Sequence, residues 1–305
     1  MVSKQTPSFE YLPNWSLSAR CYVLGTLPYI IRISSAFLNY FSLLKEQLLV
    51  TPFSVVLLQF LLLVFVKASV RANKFDLSWR ALLLGSVLNL GLSLSTFSTQ
   101  FQTLGIYLIT LSFFHWSEYM TQAIFNPDTT GVDNYMLYHS HAYVIAFFTS
   151  LIEFTGEMYL WPTMKEANIF TNIGIALVIF AECLRKSAMW TAKSNFNHYV
   201  QYRKKEDHQL VCHGVYGLFR HPAYVGFFWW SVGTQFIMLN PVCLVAYTLA
   251  SWKFFSDRIF EEERTLINFF GNKYIEYQAK VGTGLPYIKG YINPKISKPV
   301  TQANN

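Results

Sequence analysis

The stretch PAYVGFFWWSVGTQFIMLNPVCLVAYTLASWKFFSDRIFEEER, residues 222–264, decides the fold class. From Ala223 to Leu239 it is apolar or small, with Gln235 as the one large polar side chain. Asn240-Pro241 interrupts it, and a second apolar run extends from Val242 to about residue 257 before the charges gather. A proline cannot continue a helix and disfavours helical geometry in the residue before it, so the two runs predict a helical hairpin. A bilayer core about 30 Å thick needs roughly 20 apolar residues per helix. Laid outward along the chain, that ruler marks further spans at roughly 20–38, 50–70, 79–98, 102–124, 141–161 and 168–190. The short uncharged link Ser95–Thr103 makes the third and fourth of these a tight antiparallel pair. The expectation is an all-α, polytopic membrane protein of about eight transmembrane helices, with spans 7 and 8 forming the hairpin beside a cytosolic cofactor-binding region.

Composition agrees with this reading. The 305 residues are 52% hydrophobic and only 13% charged, against about 25% charged in soluble domains. Disorder and an ordinary water-covered globule are thereby excluded. The net charge of +7 would fit a nucleic-acid partner only if it formed a basic face on a soluble domain. Instead the cations fall on alternate links. Lys67, Arg71, Lys74 and Arg80 follow the second span, and Arg185, Lys186, Lys193, Arg203, Lys204, Lys205 and Arg220 follow the sixth. The remaining links carry only Lys45 and Lys165. The positive-inside rule then places the richer links, both termini and the active site in the cytosol. The Asn14-Trp15-Ser16 sequon is accordingly expected to stay unglycosylated. The start lacks the pattern of a cleaved signal peptide, so the first span is expected to be retained, and neither end carries a lipidation motif. Cys21, Cys183, Cys212 and Cys243 are widely spaced and read as reduced packing residues. No internal repeat is present.

Polar and ionisable residues concentrate late in the chain. The expected organisation is an N-terminal set of spans over 1–165, a C-terminal catalytic membrane region over 166–293, and a loose tail over 294–305. Span 8 has no stop before Glu263, so Arg258 and Glu262, four apart, share a helical face. That pair reads either as an ordinary surface ion pair or as part of a site. Pro222 suits the first turn of a helix whose open N-terminus offers unpaired N–H groups. His208, His213 and His221 with Cys212 match no common metal spacing, and no metal is expected. His139 and His141 read as interfacial residues. A nucleophile elbow and a dinucleotide-binding glycine fingerprint are both absent.

The ordered set His208-Gln-Leu-Val211, Gly214-Val-Tyr216, Phe219-Arg-His-Pro-Ala-Tyr-Val-Gly226, Gly233-Thr-Gln, Asn240-Pro, Arg258 with Glu261-Glu-Glu263, and Gly284-Leu-Pro-Tyr-Ile-Lys-Gly290 resembles the isoprenylcysteine carboxyl methyltransferase family. Arg185-Lys-Ser-Ala-Met and Asn195-Phe-Asn-His198 extend the resemblance, which covers about 180–290. The resemblance implies an integral endoplasmic reticulum enzyme that moves a methyl group from S-adenosylmethionine to the carboxylate of a C-terminal prenylated cysteine. Its partners would be prenylated client proteins and membrane lipid, with no nucleic acid. It places cofactor contacts at Gln201, His208, Gln209, Leu210, Val211, Tyr216, His221, Pro222, Ala223, Tyr224 and Glu262, and the catalytic substrate contact at Arg258. Two positions depart from the family pattern: Ala223 replaces a common serine, and Gly282 stands where proline is usual.

The residue types suit that chemistry. A cysteine α-carboxylate, with a reference pKa near 3.5, is ionised at neutral pH and needs no general base. Alignment is the task, and holding two reactants in line can supply roughly 7–11 kcal/mol of the barrier. Arg258 would grip the carboxylate with its fork, Glu262 would serve as counter-charge or ribose acceptor, and Tyr216 and Tyr224 would wall the cofactor with their π faces. The alternatives are a sterol-type NADPH-dependent membrane reductase and a non-catalytic prenyl-lipid binding protein.

Overall fold

A computed structural model describes residues 13–40, 52–138, 140–204, 206 and 208–292. Lys45, His139, Lys205 and the expected tail lie outside the described residues. Among the described residues all regular structure is helical, with no strand. The chain forms two compact units: one holds the described residues up to Ile173 together with Phe236–Asn240, and the other holds Gly174–Gln235 and the described residues from Pro241 onward.

The first unit contains α1 (Asn14–Gly25), α2 (Leu27–Tyr40), α3 (Pro52–Ser69), α4 (Ala72–Phe97), α5 (Gln102–Phe125) and α6 (His141–Leu160). The single span expected at 20–38 is divided into α1 and α2. Pro28 has no N–H to offer back along the helix. Thr26 instead bonds Val23 O at 3.0 Å, and Tyr29 bonds Thr26 O at 3.1 Å. The freed Gly25 carbonyl accepts from Gln59 Nε2 at 2.8 Å, so the break does not leave that oxygen unsatisfied. The glycines Gly25 and Gly85 bring α1 and α4 close enough that a Cβ on Gly25 would lie 2.6 Å from Gly85 backbone. Small residues at such crossings are how helices gain dispersion contact where lipid offers no hydrophobic drive. Leu17, Cys21, Ala81, Leu84 and Tyr119 fill the core between these helices.

Lys165, which follows α6, is completely buried. Its ammonium donates to Glu157 Oε2 at 2.5 Å, Leu239 O at 2.9 Å, Met238 O at 3.2 Å and Asn240 Oδ1 at 2.8 Å. Asn240 in turn donates to Ser150 O at 2.9 Å. Helix ends leave carbonyls without intrahelical partners, and here a cation collects those that close the helix ending at Met238.

The second unit takes most of α7 (Ile169–Ala192) together with α8 (Pro222–Met238, its last residues excepted), α9 (Pro241–Phe270) and α10 (Asn272–Lys280). A Cβ on Gly226 would lie 2.8 Å from Ala181 O, so α8 lies directly on α7. Arg185 of α7 donates to Ala223 O at 2.9 Å. As the missing stop before Glu263 predicts, α9 runs on for 30 residues. It ends at Gly271, whose φ of +58° and ψ of −131° form a backbone conformation that glycine, lacking a Cβ, adopts readily.

By length and composition, Ala72–Phe97 and the helical stretch Pro162–Asn195 can cross a membrane. Large apolar side chains such as Val56, Phe60, Ile145, Ile152 and Ile179 are exposed on α3, α6 and α7, which suits lipid rather than water as the surrounding medium. Cys21 and Cys243 are buried as expected, whereas Cys183 and Cys212 are exposed, so the packing reading fails for the latter two.

Candidate active site

The polar stretch between α7 and α8 folds back over α9 and α10 to leave a cleft of about 690 Å³ of empty space, open to solvent. His208, Gln209, Leu210, Val211 and Tyr216 line it from the stretch after α7, and His221, Pro222, Ala223 and Tyr224 line it from the start of α8. Glu262 comes from α9. Ten of the residues that the sequence marks as cofactor contacts therefore share one cavity wall. Gln201 is not among the lining residues; its amide donates to Tyr199 O at 3.0 Å within its own loop. Arg258 lies just behind the wall and reaches it through Tyr224.

Local packing sets the wall. The Tyr224 ring stacks on His221 at 5.5 Å with 6° between planes, and lies 5.2 Å from Phe255. His208 is held edge-on by Phe270 at 5.5 Å, and Gln209 N donates to Asn195 Oδ1 at 2.8 Å. Tyr277 OH donates to Tyr216 O at 2.5 Å. Burial, reinforced by the nearby Glu262 charge, pushes the Tyr216 phenol well above its ordinary value, so it stays a neutral donor.

One hydroxyl joins the two charged residues. Arg258 Nε donates to Tyr224 OH at 2.8 Å, and Tyr224 OH donates to Glu262 Oε2. A second guanidinium nitrogen of Arg258 donates to His198 O. The two side chains thus do not form the plain surface pair that was one reading of their spacing. Burial alone would lower the Arg258 value, but Tyr224 and Glu262 more than offset it and the net shift is upward, so the group is a permanent cation.

Behind the cleft sits a residue that sequence reasoning did not assign. Glu263 is fully buried. Its Oε1 accepts from Arg220 Nε at 2.7 Å, His221 Nε2 at 3.1 Å and Tyr274 OH at 3.2 Å. Its Oε2 accepts from Gln278 Nε2 at 2.9 Å and Tyr291 N at 2.8 Å. Arg220 extends the network to Lys289 O at 2.9 Å, Gln278 O at 3.3 Å and Val281 O. Burial raises the Glu263 carboxyl, yet His221 and Arg220 hold it below the ordinary carboxylate value. Gly290 is required here: its φ is +81°, and a Cβ would come within 1.8 Å of Glu263 Oε2. The carboxylate thereby ties the start of α8, α10 and the chain after it to α9. Asn195, Asn197, Arg220, Leu266, Phe270, Tyr274 and Tyr277 also line the cleft. The Asn195-Phe-Asn-His198 motif and the Glu261-Glu-Glu263 run were the available signals for two of these features. Among the described residues no group of three or more His, Cys, Asp or Glu could hold a metal ion.

Fold and cleft define a helical, membrane-type protein with a small-ligand site of carboxylate, amides and aromatic faces beside an arginine. Residues 174–268 match the Isoprenylcysteine carboxyl methyltransferase (ICMT) family. The protein-S-isoprenylcysteine O-methyltransferase of Xenopus laevis is 50% identical over 220 residues, which cover 72% of this chain and 76% of that protein. The Homo sapiens protein of the same name is 47% identical, with 72% and 78% covered. A solved structure of a eukaryotic intramembrane Ras methyltransferase, ICMT, superposes with a TM-score of 0.85 at 41% identity, covering 92% of this chain and 99% of that one. The chain belongs to the isoprenylcysteine carboxyl methyltransferase family. The sequence reading of a membrane methyltransferase for prenylated cysteine holds.

Proposed function

We propose that the protein methylates the C-terminal carboxylate of prenylated cysteines in membrane-associated clients, with S-adenosylmethionine as donor. The observation that carries this reading is the Arg258–Tyr224–Glu262 chain, which puts an arginine one hydroxyl away from the cleft wall. The lining fits the donor: a sulfonium favours a carboxylate and aromatic faces, here Glu262, Tyr216 and Tyr224, while Asn195 and Asn197 offer amides to a nucleoside. Bound S-adenosylmethionine supplies an electrophilic methyl carbon; a new O–C bond to the substrate carboxylate forms as the S–C bond breaks, its electron pair staying on sulfur.

In this reading Arg258 grips the carboxylate, and the backbone and side chains from His208 to Val211, with Tyr216 and His221 to Tyr224, hold the donor in line. Gln201 would approach only by movement of its loop. The catalytic region corresponds to 166–293, and about eight spans cross an endoplasmic reticulum membrane with both termini in the cytosol. The crowding of cations on alternate links supports that orientation. A farnesyl tail of about fifteen carbons, at roughly 0.8 kcal/mol per buried CH₂, favours a substrate whose lipid stays in the bilayer while its carboxylate meets the donor at the cytosolic headgroups.

The test is transfer of radiolabelled methyl from S-adenosylmethionine to N-acetyl-farnesylcysteine by the purified protein in lipid nanodiscs. A base-labile labelled ester that appears only with the prenylcysteine supports the proposal. No labelled ester with either a farnesyl or a geranylgeranyl acceptor defeats it.

A further inference from the structure

Arg258 and Glu262 stand four residues apart on α9, the spacing at which opposite charges ordinarily pair directly. Elsewhere on the same helix neighbouring charges do close: Lys253 meets Asp257, four apart, at 2.6 Å, and Arg264 meets Glu261, three apart, at 2.9 Å. Arg258 and Glu262 instead meet through the Tyr224 hydroxyl, which accepts from one and donates to the other. A stack fixes that hydroxyl in place: the ring lies between His221 and Phe255, and α8, which carries it, rests against α7 through Gly226. The guanidinium is steadied by His198 O and lies 5.5 Å over the Tyr224 ring.

We propose that Tyr224 is a positioning residue that keeps Arg258 and Glu262 from pairing with each other, so that each charge remains available to its own ligand. The idea rests on the functional reading above. An arginine neutralised by its helical neighbour would be a poor clamp for an incoming carboxylate, and a carboxylate so neutralised would be a poor counter-charge for a sulfonium. With the hydroxyl between them, one side chain faces the cleft and the other is held behind it. Deleting the hydroxyl removes the spacer while the ring keeps its stacking partners. The two charges would then close into the direct pair that the rest of α9 displays.

The experiment is a double-substitution cycle on the full chain in nanodiscs, with the KM for N-acetyl-farnesylcysteine read at saturating S-adenosylmethionine. Tyr224→Phe should raise that KM about 10-fold, the scale of one charge-assisted hydrogen bond. Glu262→Gln added to Tyr224→Phe should bring the KM at least halfway back, because the competing carboxylate is gone. In the wild-type background, Glu262→Gln should not lower it. A purely structural tyrosine would give no such rescue. An unchanged KM in Tyr224→Phe, a further rise in the double variant, or failure of Tyr224→Phe to fold would each overturn the proposal, the last because it would make the hydroxyl a structural group. A wild-type protein that forms no ester defeats the functional reading instead, and this is seen before any variant is compared.

Discussion

Lys165 in the first unit and Glu263 in the second are both completely buried, and the two charges are treated in opposite ways. Lys165 lies in a cage of Glu157, two carbonyls and Asn240, none of which lines the cleft. Glu263 gathers Arg220, His221 and Tyr274, all three of which do. Both are hydrogen-bonded as fully as a buried ion requires. A fully buried charge therefore does not by itself mark chemistry; what distinguishes Glu263 is that its partners are also the wall of a ligand site. Lys165 closes a helix end, whereas Glu263 shapes a cavity.

The comparison breaks most easily at Glu263. Glu263→Ala leaves Arg220 buried without its counter-ion, which should destabilise the protein by about 3–5 kcal/mol. Thermal unfolding in detergent should show the loss, and cofactor affinity in the surviving folded fraction should fall with it. Unchanged affinity would make Glu263 the equal of Lys165. Lys165→Met should lower stability less, by about 1–3 kcal/mol, because the carboxylate it strands, Glu157, is partly exposed to solvent, whereas Arg220 is buried. Its cofactor affinity and prenylcysteine KM should match wild type, and a changed cofactor affinity would erase the contrast. Acid titration sharpens it further. The Glu263 carboxyl is held below its ordinary 4.5 in the folded state. Its stabilisation is therefore fully present above about pH 4.5 and is lost as pH falls through the folded value. Glu263→Gln should flatten that part of the stability curve, while Lys165→Met should keep it.

The helices were legible because long apolar runs leave few alternatives: α3 and α5 to α8 lie close to the runs read from the sequence, whereas α4 begins earlier and α9 extends well past its run into the charged segment. The division at Thr26 was not, because Pro28 is compatible with the first turn of a new helix and the group that satisfies Gly25 O is Gln59, 34 residues away. The cleft was legible through its motifs, which marked ten of its lining residues as cofactor contacts. What the motifs concealed was the division of labour within Glu261-Glu-Glu263. Successive helical residues point about 100° apart, so Glu261 pairs at the surface with Arg264, Glu262 faces the cleft and Glu263 faces the interior. Three identical letters thus meet three environments. The partner that tells them apart, Arg220, is 43 residues away from Glu263 and gives no local signal.

The central claim is that Arg258 holds the carboxylate that is methylated. The direct measurement is single-turnover methyl transfer by Arg258→Ala alongside calorimetric binding of S-adenosylmethionine to the same protein. The account predicts that cofactor binding stays within a few-fold of wild type while transfer falls about 100-fold, as misalignment of a reacting group does. Transfer at the wild-type rate with cofactor bound would contradict it.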